Sequence, residues 1–253
     1  MSNLIEKLRS LSPRRAGMFR QSAPNFLNLH FANGSRATLS EWQGLFSYYS
    51  TAHLFEPGFD ALFAEAAARD PHVPPHLVRL RIFFSLQFSA VAMQQPGDLL
   101  FCGVSYGVAA FAIMKHHRDL LRDRTCFLVD PFEGANSRAD RSKRAAYGAD
   151  AEEIGRTFSA LGRAVVIRDY IPDATAAIGA KSICFAHLNT SDAESEIPTI
   201  DWIAARMPPG GVILIDAFGT WHPGAHGYAE KFDRLGYISI PLMNGQAACF
   251  KHP

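Results

Sequence analysis

The amino-acid sequence predicts an α/β domain on a seven-stranded, mostly parallel sheet that closes with an antiparallel hairpin, preceded by an N-terminal helical extension. Three observations lead there. From residue 98 onward, short continuous apolar runs alternate with helical stretches, the pattern of βαβ units whose strands are covered on both faces. The last two runs are joined by Asn244-Gly245, the strongest short hairpin signal. The first 75 residues lack this alternation, so residues 1–75 are expected to form a mostly helical extension, a lid or oligomer contact, before a domain of residues 76–253.

Each element has its own warrant. Residues 4–11 suit a short amphipathic helix, and Asn33-Gly34 marks a turn. Residues 39–52 carry Trp42, Phe46, Tyr48 and Tyr49 behind Ser40 as a candidate cap, and a helix is expected there despite Gly44. Residues 59–69 are Ala-rich and helical, and the prolines between 71 and 75 break the chain. Residues 76–94 read as a mostly buried helix ended by Pro96-Gly97. Strands are expected at 99–104, 125–130, 164–167, 182–188, 211–216, 237–241 and 247–251. Helices are expected between them at 108–121, 151–161, 197–207 and 227–235, with right-handed crossovers.

Composition narrows the function classes. The 253 residues are 48% hydrophobic and 19% charged, enough to bury a full core and inconsistent with disorder. A net charge of +1 gives no electrostatic footprint for nucleic acid or an acidic membrane surface. The expected partner is a small, largely uncharged molecule, and a homo-oligomer is expected. Cys102, Cys126, Cys184 and Cys249 form no CxxC pair and lie in apolar strands, which points to buried free thiols in a reducing compartment. The first residues resemble no signal peptide, and residues 82–93 are too short for a membrane span. A cytoplasmic protein is expected.

The chemistry-bearing residues gather where strands end. The turn Gly103-Val104-Ser105-Tyr106-Gly107 follows the first strand of the alternating region and opens a helix, where doubly wound sheets bind ligands. Gly103 suits a positive φ or a close backbone approach to a ligand; a packing turn explains two glycines as well. Asp130 ends the next strand and is followed by Pro131-Phe132-Glu133-Gly134. A carboxylate there can accept both hydroxyls of a ribose, or cap a helix. Asp216 ends the apolar strand after Pro208-Pro209-Gly210-Gly211, and His222 and His226 follow in the next loop. His187, at the carboxyl end of the fourth strand, is the best placed of the three histidines as a general base. A histidine merely packed or exposed at such a position is the competing reading. His116-His117 fits a helix C-terminus, and Arg138, Arg141, Lys143 and Arg144 fit a solvated face or a grip on an anionic substrate.

The order PGDLLFCGVSYG, VDPFEG and PPGGVILIDAFG resembles the macrocin O-methyltransferase family, class I S-adenosylmethionine-dependent enzymes with a Rossmann-like sheet. The similarity runs from about Arg79 to Phe250. It implies that Gly103 to Gly107, Asp130, Pro131, Phe132 and Glu133 line an S-adenosylmethionine site. It also implies that Asp216 and the segment from His187 belong to a magnesium-holding carboxylate cluster, in which the metal would activate an acceptor hydroxyl. The sequence departs from this pattern. Phe101 stands where the family has a glutamate, Val108 replaces a glycine, and Ala217 replaces the second of two consecutive acids. Asn189 and Ser191 stand where aspartates are expected. Asn189 and Asp216, with Asp192, are then the only candidate ligands, too few charges for a hard dication; a metal is not expected to be required. The sequence therefore reads as a methyltransferase acting on a small natural-product or sugar-like acceptor, with His187, Asp216, His222 and His226 as catalytic candidates. The alternatives are a methyltransferase-like protein that no longer methylates and, disfavoured by its incomplete glycine fingerprint, a nicotinamide-dependent oxidoreductase.

Overall fold

The structure, a computed structural model, describes residues 25–30, 36–42, 45–47, 57–72, 75–133, 149–190, 192–218 and 226–252. The chain divides into two compact units, Met1–Tyr49 and Ser50–Pro253.

The described part of the first unit is an antiparallel sheet of β1 (Asn25–His30), β2 (Arg36–Trp42) and β3 (Leu45–Ser47). Phe26 pairs with Ser40, Leu27 with Leu39, and Trp42 with Leu45. The helix expected over residues 39–52 is thus replaced by strand in both described stretches. The local cause is composition: Thr38, Trp42 and Phe46 favour a pleated backbone, and Asn25–His30, for which the sequence reading has no element, supplies the partner strand. The helix expected over residues 4–11 lies outside the described residues.

The second unit opens with α1 (Pro57–Ala67) and α2 (Pro75–Ala92). Both pack on the core of the following sheet, through Leu62, Phe63, Ala66, Ile82 and Leu86. The alternating region follows as β4 (Asp98–Cys102), α3 (Val108–His116), β5 (Thr125–Val129), α4 (Ala151–Ser159) and β6 (Arg163–Ile167). Then come α5 (Thr175–Ile178), β7 (Ile183–Leu188), α6 (Ala193–Ala204), β8 (Val212–Ile215), α7 (His226–Arg234), β9 (Tyr237–Pro241) and β10 (Ala247–Lys251). All seven expected strands form. Helix α6 starts earlier than expected because Asp192 caps it, accepting from the Glu194 N–H.

The seven strands lie in the order β6-β5-β4-β7-β8-β10-β9. Neighbours are parallel except β10, which runs antiparallel to β8 and β9. Alternate residues feed two cores. Leu99, Phe101, Phe185 and Leu214 face the layer containing α1 to α4. Leu100, Cys102, Ala186 and Ile213 face the layer containing α5 to α7. All four cysteines are buried and free. Burial pushes the Cys126 and Cys249 thiols up to about 12 and Cys184 to about 11, so none of these three serves as a nucleophile near neutral pH. No helix among the described residues is long and apolar enough to cross a membrane.

Candidate functional site

Strand order reverses between β4 and β7, so their carboxyl ends diverge into the crevice where open α/β sheets bind ligands. The chain leaves β4 through Gly103, at φ +78°, whose N–H donates to the Val129 carbonyl at 2.9 Å. A Cβ there would stand 2.3 Å from the Asn189 carbonyl oxygen. The close approach that requires glycine is thus made by the backbone leaving β7, the packing-turn alternative of the sequence reading. Gly107, at φ +77°, caps α3, and a Cβ on it would meet the Phe158 ring at 2.6 Å. Both glycines are fixed by internal packing.

Asp130 sits just past β5 and is almost fully buried. Its Oδ2 accepts from the Ser105 N–H at 2.8 Å and its Oδ1 from the Phe132 N–H at 2.7 Å. Burial raises the pKa of this carboxyl, against the opposing pull of those two N–H groups. Ser105 and Phe132 have φ of 50° and 54°, the two positive values among described non-glycine residues. One carboxylate therefore pins two strained turns, a constraint typical of ligand-facing loops. The Ser105 Oγ is buried without a hydrogen-bond partner, an orphaned polar atom beside the carboxylate. Val104, Pro131 and Phe132 are buried, and Glu133 is exposed, with the Tyr170 hydroxyl donating to it at 3.5 Å. Tyr106 accepts from Arg69 Nε through its carbonyl at 3.0 Å and meets His72 Nε2 through its hydroxyl at 3.1 Å.

A second cluster lies across the switch point. His187, near the end of β7, places Nε2 2.8 Å from Asp216 Oδ1. Gln246, from the β9–β10 turn, donates its side-chain N–H to the same oxygen. Arg81, on α2, sets Nη1 2.8 Å from Asp216 Oδ2 and 3.3 Å from the Asp216 carbonyl. Burial would raise the Asp216 carboxyl, but the His187 and Arg81 charges and the His187 and Gln246 hydrogen bonds hold it well below the usual carboxylate range. The Phe101 ring meets the His187 ring edge-on at 6.4 Å. Behind this pair, fully buried Glu196 accepts at Oε1 from the Thr190 N–H and hydroxyl, both at 2.7 Å, and at Oε2 from the Tyr228 hydroxyl.

The structure thus joins His187 to Asp216 and gathers Ser105, Asp130 and Phe132. His222 lies outside the described residues, and His226 opens α7. Sequence reasoning missed Arg81, Gln246, Glu196 and Tyr228. The available signal was two arginines in the apolar stretch LVRLRIFF of α2; Arg79 is buried and pairs with Asp60, and the partly exposed Arg81 is left to find its own counter-ion.

The donor set does not fit a divalent ion. Both Asp216 oxygens are engaged, Glu196 is consumed internally, and Asp192 accepts from the Glu194 N–H and the Ser195 hydroxyl. Among the described residues no three His, Cys, Asp or Glu side chains form a group able to hold a metal. The unpartnered Ser105 Oγ and the turns around Asp130 stand at the ends of β4 and β5.

The strand order, the terminal antiparallel pair and the flanking helices define the Rossmann-like methyltransferase fold. Residues 100–218 match the model of a family described as a methyltransferase domain, a span that includes Asp130, His187 and Asp216. Among solved structures, the O-methyltransferase NovP is similar at 20% identity and a TM-score of 0.53, covering 68% of this chain and 80% of that one. CalS11, a calicheamicin methyltransferase, is similar at 14% identity and a TM-score of 0.51, covering 77% and 93%. At these identities the likeness is one of fold. No curated protein matches the chain.

Proposed function

We propose that this protein is an S-adenosylmethionine-dependent methyltransferase that methylates an oxygen of a small natural-product or sugar-like acceptor without requiring a metal. The observation that carries the reading is Asp130, which fixes the strained turns after β4 and β5 beside the unpartnered Ser105 Oγ. The turn from Gly103 to Gly107, with Asp130, Pro131, Phe132 and Glu133, would hold the methyl donor. When bound, the donor supplies an activated methyl group on a sulfonium.

The protein's own contribution is orientation and proton removal. With Nε2 directed at Asp216, the imidazole proton resides on Nε2, and Nδ1 is the nitrogen left to take the proton of an acceptor hydroxyl. Asp216 fixes that tautomer and stabilises the imidazolium that forms. Arg81 and Gln246 hold Asp216 in turn.

Calorimetric titration with S-adenosylmethionine, S-adenosylhomocysteine and NAD tests the reading. Binding of the first two, lost in Asp130→Ala, is expected; NAD binding alone would overturn it. One observation favours a second reading, a methyltransferase-like protein that no longer methylates: each Asp130 oxygen already accepts from the chain's own backbone. A folded protein that binds neither S-adenosylmethionine nor S-adenosylhomocysteine would favour that alternative.

A further inference from the structure

We infer that Arg81 is the resident cation of this crevice, occupying with its guanidinium the coordination space of Asp216 that a divalent ion would need. The argument starts from the carboxylate. Asp216 Oδ2 faces Arg81 Nη1 at 2.8 Å, and Oδ1 is shared by His187 Nε2 at 2.8 Å and the Gln246 side-chain amide. An ionised carboxylate offers about four lone-pair sites, and three donors already converge on this one. Magnesium-type ions take about six oxygen ligands with substantial negative charge among them. Asp216 is followed by Ala217, and Asn189 contributes no charge. The acids that follow β7 serve other ends: Asp192 caps α6, Glu194 is exposed, and Glu196 ties Thr190 to Tyr228.

Arg81 is also well placed to exclude an ion rather than merely neutralise a charge. It projects from α2, in the helical layer that packs on the face carrying Phe101 and Leu214. Its Nη1 reaches both the carboxylate and the backbone carbonyl of Asp216, so the guanidinium is anchored at two points. A dication approaching Oδ2 would have to displace it and then face its charge at close range. The consequence for chemistry rests on the methyl-transfer reading: His187 acts as base beside a guanidinium, and Arg81 positions His187 through Asp216. The exclusion of metal does not depend on that reading.

The test uses the full chain and Mn²⁺ as a paramagnetic probe. Mn²⁺ is titrated while the imidazole signals of His187 are followed by NMR and bound ion is counted by electron paramagnetic resonance. In the wild-type protein the His187 signals should stay sharp at Mn²⁺ concentrations that saturate ordinary metal sites. Arg81→Ala leaves the site short of carboxylates but frees Oδ2, so Mn²⁺ should bind there weakly, yet at least about tenfold more tightly than in the wild type, and broaden the His187 signals. Arg81→Lys should exclude the ion as the wild type does, and Asp216→Asn in the Arg81→Ala background should abolish the gained site. Stoichiometric Mn²⁺ at His187 in the wild type overturns the inference, a result that stands even if Arg81→Ala does not fold. A folded Arg81→Ala that gains no ion overturns it equally. Titration with S-adenosylhomocysteine on the same samples reports on the nucleoside site separately, so failure of one reading is not mistaken for failure of the other.

Discussion

Gly103→Ala tests the geometry on which the crevice depends. The new methyl would lie 2.3 Å from the Asn189 carbonyl oxygen, 2.6 Å from its carbon and 3.0 Å from the Thr190 nitrogen, at φ +78°. The left-handed backbone alone costs a residue with a Cβ roughly 1–2 kcal/mol. The clash adds to this, because the obstacle is backbone and not a side chain that can rotate away. The Asn189 N–H is hydrogen-bonded to the Cys102 carbonyl at 2.9 Å, so the β7 exit gives way only by loosening its bond to β4. Overpacking of that kind costs roughly 1–3 kcal/mol more. Gly236 provides the internal control, with φ +70° and nothing within 4 Å of the place an added methyl would take; Gly236→Ala carries the conformational part alone. Guanidinium denaturation followed by circular dichroism should therefore give a loss of roughly 2–5 kcal/mol for Gly103→Ala and roughly 1–2 for Gly236→Ala, with unchanged denaturant slopes. Equal losses for the two variants would refute the claim that the β4 and β7 exits are locked together.

Two pH predictions have opposite signs. Glu196 is held above the ordinary glutamate range, chiefly by burial and despite its hydrogen bonds from Tyr228 and Thr190. The folded state keeps this proton to higher pH than the unfolded chain does, so stability from this residue falls as pH rises above about 4.5. Thermal melts of Glu196→Gln between about pH 4.5 and 8 should show a flatter pH dependence than the wild type, and an identical slope would contradict the assignment. Asp216 is depressed, so its contribution is present above the ordinary aspartate range and is lost as pH falls below about 4. Asp216→Asn should cost roughly 2–3 kcal/mol near neutral pH, with Arg81 partly solvated, and the gap to wild type should narrow in acid. Denaturation at several pH values measures both the loss and its direction.

The fold was legible because its signal is repetitive. Seven apolar runs separated by helix-length segments leave few topologies once crossovers are right-handed, and Asn244-Gly245 marked the reversal that β9 and β10 make. The first unit was not legible for the opposite reason. Residues 36–47 carry aromatic and β-branched side chains that a helix also tolerates, and only the pairing of Phe26 with Ser40 and Leu27 with Leu39 decides the matter. Asp130, His187 and Asp216 could be read because strand ends fix their place. Their partners could not. Arg81 is 135 residues from Asp216, and Gln246 is 30 residues from it, and no periodicity links positions that meet only through tertiary packing.

Phe101 shows why those partners matter for the chemistry. It is in register with His187 across β4 and β7, its side chain is buried, and its ring stands edge-on to the imidazole. A glutamate at that position, as the resemblance to the macrocin O-methyltransferases would have it, would place a second buried carboxylate beside the pair. Arg81 would then face two acids, and an additional cation would be needed to keep both ionised in a low-dielectric site. With phenylalanine there, Asp216 is the single acid bonded to His187, and one guanidinium balances it. Phe101, Ala217 and Arg81 therefore fit one balance of charge, a single carboxylate answered by a single guanidinium.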